Sequence, residues 1–124
     1  MTPESKVRNE ICLWLKWKRV LCFIHDSVGI FDPIRKVYRA NKNPHRRKGV
    51  GDILGVLPGG RFLSIEVKAP EVKDLFGKKI QSKGYASAEQ KIFIEDVNNQ
   101  GGVALIAWSV RDVEEALAKK GIAL

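Results

Sequence analysis

Two acids and a lysine stand at the ends of two apolar segments that flank a tight turn. Asp52 precedes the segment ILGVL, and Glu66 and Lys68 end the segment FLSIEVK, with PGG between the two segments. Because antiparallel strands joined by a short turn bring their outer ends together, we expect Asp52 to lie beside Glu66 and Lys68. Side chains alternate along a strand, so Glu66 and Lys68 project from the same face. The sequence therefore predicts two carboxylates and one ammonium group in a small site.

The residue types in this site suggest a particular chemistry. Two neighbouring carboxylates repel each other unless one is protonated or a cation lies between them. Hard divalent cations prefer carboxylate, carbonyl and water oxygens, so Asp52 and Glu66 are candidate ligands of such a cation. Lys68 could orient or help deprotonate a water, or offset the charge that grows on a phosphate. This arrangement indicates a phosphodiesterase site. The alternative is an acid in a turn and a solvated Glu66–Lys68 pair at a strand end.

The distribution of charge favours a polyanionic partner. The chain has 124 residues and a formal net charge of +8. Residues 1–50 hold 12 Lys and Arg against 4 Asp and Glu, whereas residues 51–124 hold 10 against 10, so the whole excess lies in the first part. Such a field suits nucleic acid, and the alternative is a solvated loop that keeps the protein in solution.

Length and composition favour a single domain over residues 1–124. No apolar run approaches the roughly 20 residues of a membrane span, and the polar N-terminal segment lacks the apolar core of a signal peptide. We therefore expect a cytoplasmic protein without a membrane partner. In that compartment Cys12 and Cys22 are expected to be reduced thiols rather than a disulfide.

Hydrophobic periodicity predicts the elements that position the site. Helices are expected over residues 3–17, 87–99 and 110–121, the first beginning at Thr2 and Pro3 and the second at a capping box of Ser87 and Gln90. Strands are expected over residues 20–24, 53–57, 62–68 and 103–108, with short strands near 29–31 and 36–39. Residues 40–49 are predicted to form a mobile basic loop and residues 70–86 an irregular stretch. Since residues 62–108 have the length of a βαβ crossover, we expect an α/β fold, a mixed sheet with helices packed against it and its last two strands parallel.

The segment GVGDILGVLPGGRFLSIEVKAPE, residues 49–71, resembles the core of the PD-(D/E)xK nuclease superfamily. Asp52 matches its first acid, and Glu66, Val67 and Lys68 match its E-x-K element. The following SAEQKIFIEDVNNQGGVALIAWSVRDVEEAL resembles the VRR-NUC branch, the virus-type replication-repair nucleases. The resemblance covers nearly the whole chain and is strongest over residues 49–117. It implies a restriction-endonuclease-like fold, with one departure, since Gly51 replaces the proline of the superfamily motif.

The resemblance also implies site residues outside the two acids and the lysine. Glu10 is the candidate for a first-helix acid that completes the metal site, although it also fits a surface pair with Lys6. Gln90 matches the family's active-site glutamine and also fits the capping box, and both roles can hold together. The family offers the carbonyl of Val67 as a backbone metal ligand. The predicted metal ligands are Glu10, Asp52, Glu66 and Val67, and the predicted catalytic residues are Asp52, Glu66, Lys68 and Gln90.

Basic residues on both sides of the predicted site are expected to contact the DNA backbone. They are Arg46, Arg47, Lys48, Lys78, Lys79 and Lys83. The resemblance implies a Mg²⁺- or Mn²⁺-dependent endonuclease that acts on branched DNA as a homodimer, with Holliday-junction resolution as the leading activity. Stand-alone members of this size are typically phage or bacterial proteins. A flap or single-strand nuclease, and a non-catalytic DNA-binding module that keeps the nuclease fold, are the alternatives.

Overall fold

The computed structural model describes residues 1–26, 30–39 and 43–124. The elements in these ranges are, in chain order, α1 (Pro3–Trp17), β1 (Leu21–Ile24), β2 (Ile30–Asp32), β3 (Val37–Arg39), β4 (Ile53–Val56), β5 (Phe62–Val67), β6 (Val72–Lys73), β7 (Lys79–Gln81), α2 (Ala88–Asn99), β8 (Val103–Ala107) and α3 (Val110–Lys119).

The helices begin where the capping residues predict. The hydroxyl of Thr2 accepts a hydrogen bond from the amide of Ser5 at 3.1 Å, and Pro3 occupies the first helical turn of α1. Ser87 and Gln90 form the predicted capping box of α2, with both of its hydrogen bonds present. The hydroxyl of Ser109 accepts from the amide of Asp112 and begins α3. All three predicted helices are confirmed: α1 has the predicted bounds, and α2 and α3 differ from theirs by one and two residues.

The main sheet has the strand order β1-β4-β5-β8. β4 pairs antiparallel with both β1 and β5, whereas β5 and β8 are parallel. The predicted hairpin and the predicted parallel pair are therefore confirmed, and the fold is a mixed α+β arrangement with a mixed sheet flanked by helices. Strands β4, β5 and β8 each end one residue earlier than predicted, but the amide of Lys68 still donates to the carbonyl of Ala107 at 3.0 Å.

The core lies between one face of the sheet and the helices α1 and α3. The alternate residues Leu63, Ile65 and Val67 of β5 are buried there with Ile11 of α1 and Leu117 of α3. The opposite face of β5 carries Phe62, Ser64 and Glu66, and α2 lies over β5 and β8 on that side. Glu66 therefore projects from the sheet towards α2, and the pairing of β4 with β5 fixes the position of its backbone.

The two stretches outside the main sheet and the helices differ in part from the sequence prediction. Residues 70–86 contain a small antiparallel ribbon, β6 with β7, which the sequence pattern did not predict. β2 and β3 form a second ribbon close to the predicted short strands, although Gly29 lies outside the described residues. Residues 40–42 of the predicted mobile loop also lie outside them, and residues 43–49 form turns and bends. The mobility of this loop stays a prediction.

The two cysteines are free thiols, as predicted. Both side chains are buried between α1 and β1, and burial raises the pKa of each thiol above its ordinary value. In the part of the chain that the structure describes, no helix has both the length and the apolar character to cross a bilayer.

Candidate active site

The register of the β4–β5 hairpin brings the two predicted acids together. Ile53 pairs with Ile65, so Asp52 and Glu66, one residue further along each strand, face each other across the hairpin. Oδ2 of Asp52 accepts a hydrogen bond from the amide of Val67 at 2.8 Å. This bond fixes the first acid against the end of β5, and the predicted meeting of Asp52 with Glu66 is confirmed.

The carboxylate of Glu66 is buried and only partly satisfied. The residue is 4% exposed, and its Oε1 accepts a hydrogen bond from Nε2 of Gln90 at 2.7 Å. Nζ of Lys68 lies 3.4 Å from the same oxygen. The second oxygen, Oε2, is buried and has no hydrogen-bond partner within residues 1–26, 30–39 and 43–124. A buried carboxylate oxygen is normally paired, and either a proton on the Glu66 carboxyl or a bound cation would satisfy this atom.

The environment of Glu66 opposes its negative charge. Burial raises the pKa of Glu66 from 4.5 to about 7, with the neighbouring Asp52 carboxylate as the second cause, while Lys68 acts in the opposite direction. A divalent cation between the two acids would reverse both unfavourable effects, because it replaces lost hydration and neutralises the like charges. A donor set of two carboxylates, one of which has an unpaired buried oxygen, therefore fits a hard cation.

The backbone of Val67 can contribute a third oxygen. Its amide donates to Asp52, and the next amide, that of Lys68, donates to β8 on the opposite side. In a strand the N–H and C=O of one residue point to the same side, so the carbonyl of Val67 also faces the side of Asp52. The predicted backbone ligand thus lies on the same side of β5 as the first acid.

Gln90 combines the two roles that its sequence position allowed. Its Oε1 accepts from the amide of Ser87 at 2.7 Å, and its Nε2 donates to Glu66. The capping box therefore holds the side chain of Gln90 in a fixed orientation towards the buried carboxylate. As a result the start of α2 and the end of β5 are joined at the site by one amide group.

Two glycines allow these elements to approach. A Cβ atom at Gly49 would lie 2.4 Å from the carbonyl oxygen of Glu89 and 2.8 Å from the amide of Gln90, and the φ of Gly49 is +78°. A Cβ atom at Gly51 would lie 2.4 Å from Oγ of Ser64. The glycine that replaces the motif proline thus sits where the backbone of this chain leaves no room for a side chain. The sequence indicated neither contact.

Glu10 is not brought to the two acids. It is exposed on α1, where it lines a cleft with Lys6, Pro70 and Val72. Among the described residues, no three His, Cys, Asp or Glu side chains form a group that could hold a metal ion. The structure therefore assembles Asp52, Glu66, Lys68 and Gln90, while a ligand role for Glu10 stays a prediction.

His25 lies next to Asp52 in the structure, and its spacing to His45 in the sequence gave it no predicted role. Its amide donates to the carbonyl of Asp52 at 2.7 Å, so β1 continues the register by one residue at this point. Because paired residues of neighbouring strands share a face, His25, Asp52 and Glu66 occupy one row across the sheet. The pairing of β1 with β4 places His25 in that row, and no motif in the sequence predicts this position.

The predicted DNA-contacting residues differ in how they are held. Arg47 forms a salt bridge with Asp96 of α2 and stacks on the ring of Phe93 at 5.5 Å. Nζ of Lys83 lies 3.7 Å from the ring centre of Trp108, and Lys79 lies 3.7 Å from Glu71. The side chains of all six are exposed, and the set is Arg46, Arg47, Lys48, Lys78, Lys79 and Lys83. The side chain of Arg47 therefore already contacts α2. Contact with DNA stays a prediction for each of the six residues.

Comparison with known proteins gave no relative: no family model, no curated protein and no solved structure matches this chain.

Proposed function

We propose that this protein is a Mg²⁺- or Mn²⁺-dependent DNA endonuclease with a PD-(D/E)xK core of the VRR-NUC type. The observation that carries the proposal is the unpaired, buried Oε2 of Glu66, which lies in a carboxylate facing Asp52 and within ion-pair distance of Lys68. Such a group costs folding free energy unless a cation or substrate uses it. The leading activity is resolution of four-way DNA junctions.

The side chains of this chain have separate roles in the proposed hydrolysis. Asp52, Glu66 and the carbonyl of Val67 would hold the divalent cation, which when bound supplies Lewis-acid stabilisation of the charge that grows on the phosphate. Lys68 orients the attacking water, accepts its proton or offsets the phosphate charge. Gln90 occupies Oε1 of Glu66, which leaves Oε2 for the cation.

Exposed apolar side chains on the face of the sheet that carries Glu66 and that α2 covers in part support the proposed homodimer. The register aligns Leu21, Val56 and Phe62 in one row across β1, β4 and β5, with Phe23 in the next row. All four are exposed, and we call them the apolar row. Leu21, Val56 and Phe62 lie towards the turn at residues 58–60, whereas Phe23 lies in the row next to that of Asp52 and Glu66. A second copy centred on Leu21, Val56 and Phe62 would leave both sites open, as two symmetric strand cuts require.

The apolar row gives a direct prediction about assembly. Phe23 is 55% exposed, so Phe23→Glu should leave the fold intact and convert the dimer to a monomer, because it places a charge in the proposed interface. Light scattering measures the change as a halving of the mass in solution. Ile34→Glu, at an exposed position on the β2–β3 turn, is the matched control and should stay dimeric. A dimeric Phe23→Glu protein would contradict this use of the row.

A substrate panel tests the proposed function. Purified protein with Mg²⁺ is given four-way junctions, flaps, single strands and linear duplexes, each end-labelled. Paired symmetric cuts in the junction, abolished by chelation, are the expected result. Preference for flaps or single strands would support the alternative nuclease. No cleavage, together with calorimetry that detects no Asp52-dependent metal binding, would support the non-catalytic DNA-binding module.

A further inference from the structure

The ribbon β6–β7 projects from the end of the sheet that carries the candidate active site. We call residues 71–83 the basic arm. Its base is held by Nε2 of Gln81, which donates to the carbonyl of Pro70 at 2.9 Å, and by the amide of Gly84, which donates to the carbonyl of Ala69 at 2.8 Å. Nε1 of Trp108 donates to the carbonyl of Gly84 at 2.7 Å. Because Ala69 directly follows Lys68, the arm starts at the site itself.

The tip of the basic arm is a hydrogen-bonded turn with apolar side chains. Oδ1 of Asp74 accepts from the amides of Phe76 and Lys78, both at 2.9 Å, and the amide of Asp74 donates to the carbonyl of Lys78 at 2.8 Å. Gly77 completes the turn with a φ of +80°. Leu75 is nevertheless 100% exposed and Phe76 is 94% exposed. Turn tips favour small polar residues, so two large apolar side chains on a fixed tip are unusual.

The charges around the tip indicate what the two apolar side chains could meet. The basic arm holds four lysines against the two acids Glu71 and Asp74, a net charge of +2. Lys73 and Lys79 lie on either side of Glu71, at 3.6 and 3.7 Å from its two oxygens. Asp74 is occupied within the turn, and Lys78 beside it is exposed. An apolar tip between lysines complements a polyanion with an apolar interior, such as stacked bases between phosphates.

The position of the arm favours DNA over a lipid surface, which shares the same combination of charge and apolar interior. Leu75 lies five residues beyond Pro70, so at about 3.3 Å per residue the tip reaches at most roughly 16 Å from its base. That distance corresponds to about five base pairs of duplex. The tip can thus reach bases close to the phosphate that the candidate site would hold, whereas membrane attachment gives no reason for the arm to start beside Lys68.

We propose that Leu75 and Phe76 form a wedge that enters the base stack at the branch point of a DNA junction. The wedge separates the bases there and brings the branch phosphate to Asp52, Glu66 and Lys68, while the lysines of the basic arm contact neighbouring phosphates. Apolar side chains that enter base steps in this way unstack and bend DNA. This inference rests on the proposed function, because it assigns to the basic arm the preference of that same site for branched DNA.

The test uses the double variant Leu75→Ser/Phe76→Ser and the matched control Ile34→Ser, an exposed apolar residue on the turn of the other ribbon. Each is made with Asp52→Asn, so that DNA is bound without being cut. A four-way junction carries 2-aminopurine at the branch point, and its fluorescence rises when the base leaves the stack. The Asp52→Asn protein and its Ile34→Ser form should raise the fluorescence, and the Leu75→Ser/Phe76→Ser form should not.

Cleavage gives the second readout, in proteins with Asp52 intact. The tip variant should cut the fully paired junction about ten-fold or more slowly, within the range expected for loss of base stacking by an aromatic side chain. It should cut a junction with unpaired bases at the branch point within about two-fold of the unsubstituted protein, since that substrate is already open. Equal slowing on both junctions would overturn the wedge, because it would show a general loss of binding.

The outcomes separate the wedge from the proposed function. If the unsubstituted protein cuts no DNA, the nuclease proposal fails; if it cuts junctions and the tip variant raises the fluorescence equally, only the wedge fails. Bound junction without any rise in fluorescence overturns the wedge as well. Sedimentation with vesicles of phosphatidylcholine and phosphatidylserine tests the membrane alternative. If vesicle binding requires Leu75 and Phe76 and the fluorescence change does not, the wedge is overturned and the membrane alternative is supported.

Discussion

Asp52→Asn is expected to reduce cleavage of a four-way junction by at least about a thousand-fold, or about 4 kcal/mol of transition-state stabilisation. The amide oxygen of Asn can still accept the hydrogen bond from the amide of Val67, so the end of the hairpin keeps its structure. The substitution removes the negative charge that would hold the cation beside Glu66. Junction binding in a gel-shift experiment should change by no more than a few-fold, because DNA affinity comes mainly from basic residues elsewhere.

The control for Asp52→Asn is a substitution that removes the same charge far from the site. Glu114 is exposed on α3, and Glu114→Gln should cut the junction at the rate of the unsubstituted protein. Initial rates are measured under single-turnover conditions with Mg²⁺. Activity of Asp52→Asn within ten-fold of that of the unsubstituted protein would show that Asp52 is not a metal ligand.

Glu66→Gln is expected to stabilise the metal-free protein at pH 8 while it abolishes cleavage. The pKa of Glu66 is raised from 4.5 to about 7, so between these pH values the folded protein keeps a proton that the unfolded chain has released. The stabilising contribution of the protonated form is present below pH 4.5 and is lost as the pH rises through 7. The loss is on the order of 3 kcal/mol, and glutamine, which carries no charge, avoids it.

The measurement is the free energy of unfolding in urea at pH 5 and at pH 8, with chelator and then with Mg²⁺. The stability of Glu66→Gln relative to the unsubstituted protein should increase by about 2.5 kcal/mol between pH 5 and pH 8 in chelator. Mg²⁺ should then stabilise the unsubstituted protein at pH 8 and leave Glu66→Gln unchanged, since binding to the folded state adds stability. Glu114→Gln serves as the control substitution, since Glu114 is exposed on α3. If the difference in unfolding free energy between Glu66→Gln and the unsubstituted protein is the same at both pH values, ionisation of Glu66 does not destabilise the folded protein.

The sequence predicted the elements around the site because their signals are local. Thr2, Ser87 and Ser109 mark helix starts through hydrogen bonds to residues three positions away, which a linear pattern can reveal. The short turn at residues 58–60 fixes the register of β4 and β5, so the meeting of Asp52 and Glu66 also followed from spacing. The parallel pairing of β5 and β8 followed from the length of the connection.

The features that the sequence did not predict depend on contacts between distant residues. The bond from Gln90 to Glu66 joins residues 24 positions apart, and the approach of Gly49 to Glu89 needs the folded arrangement of α2 against the hairpin. The basic arm has no hydrophobic period because Leu75 and Phe76 are exposed, so pattern analysis gave an irregular stretch. The position of Glu10 was inferred from a resemblance, and the structure keeps it apart from the two acids.

The most direct test of the central claim compares the purified protein with Glu66→Ala on a labelled four-way junction. The account predicts Mg²⁺-dependent cutting by the unsubstituted protein, stopped by chelation and restored by added Mg²⁺, and no detectable cutting by Glu66→Ala at equal junction binding. Undiminished cutting by Glu66→Ala would contradict the account.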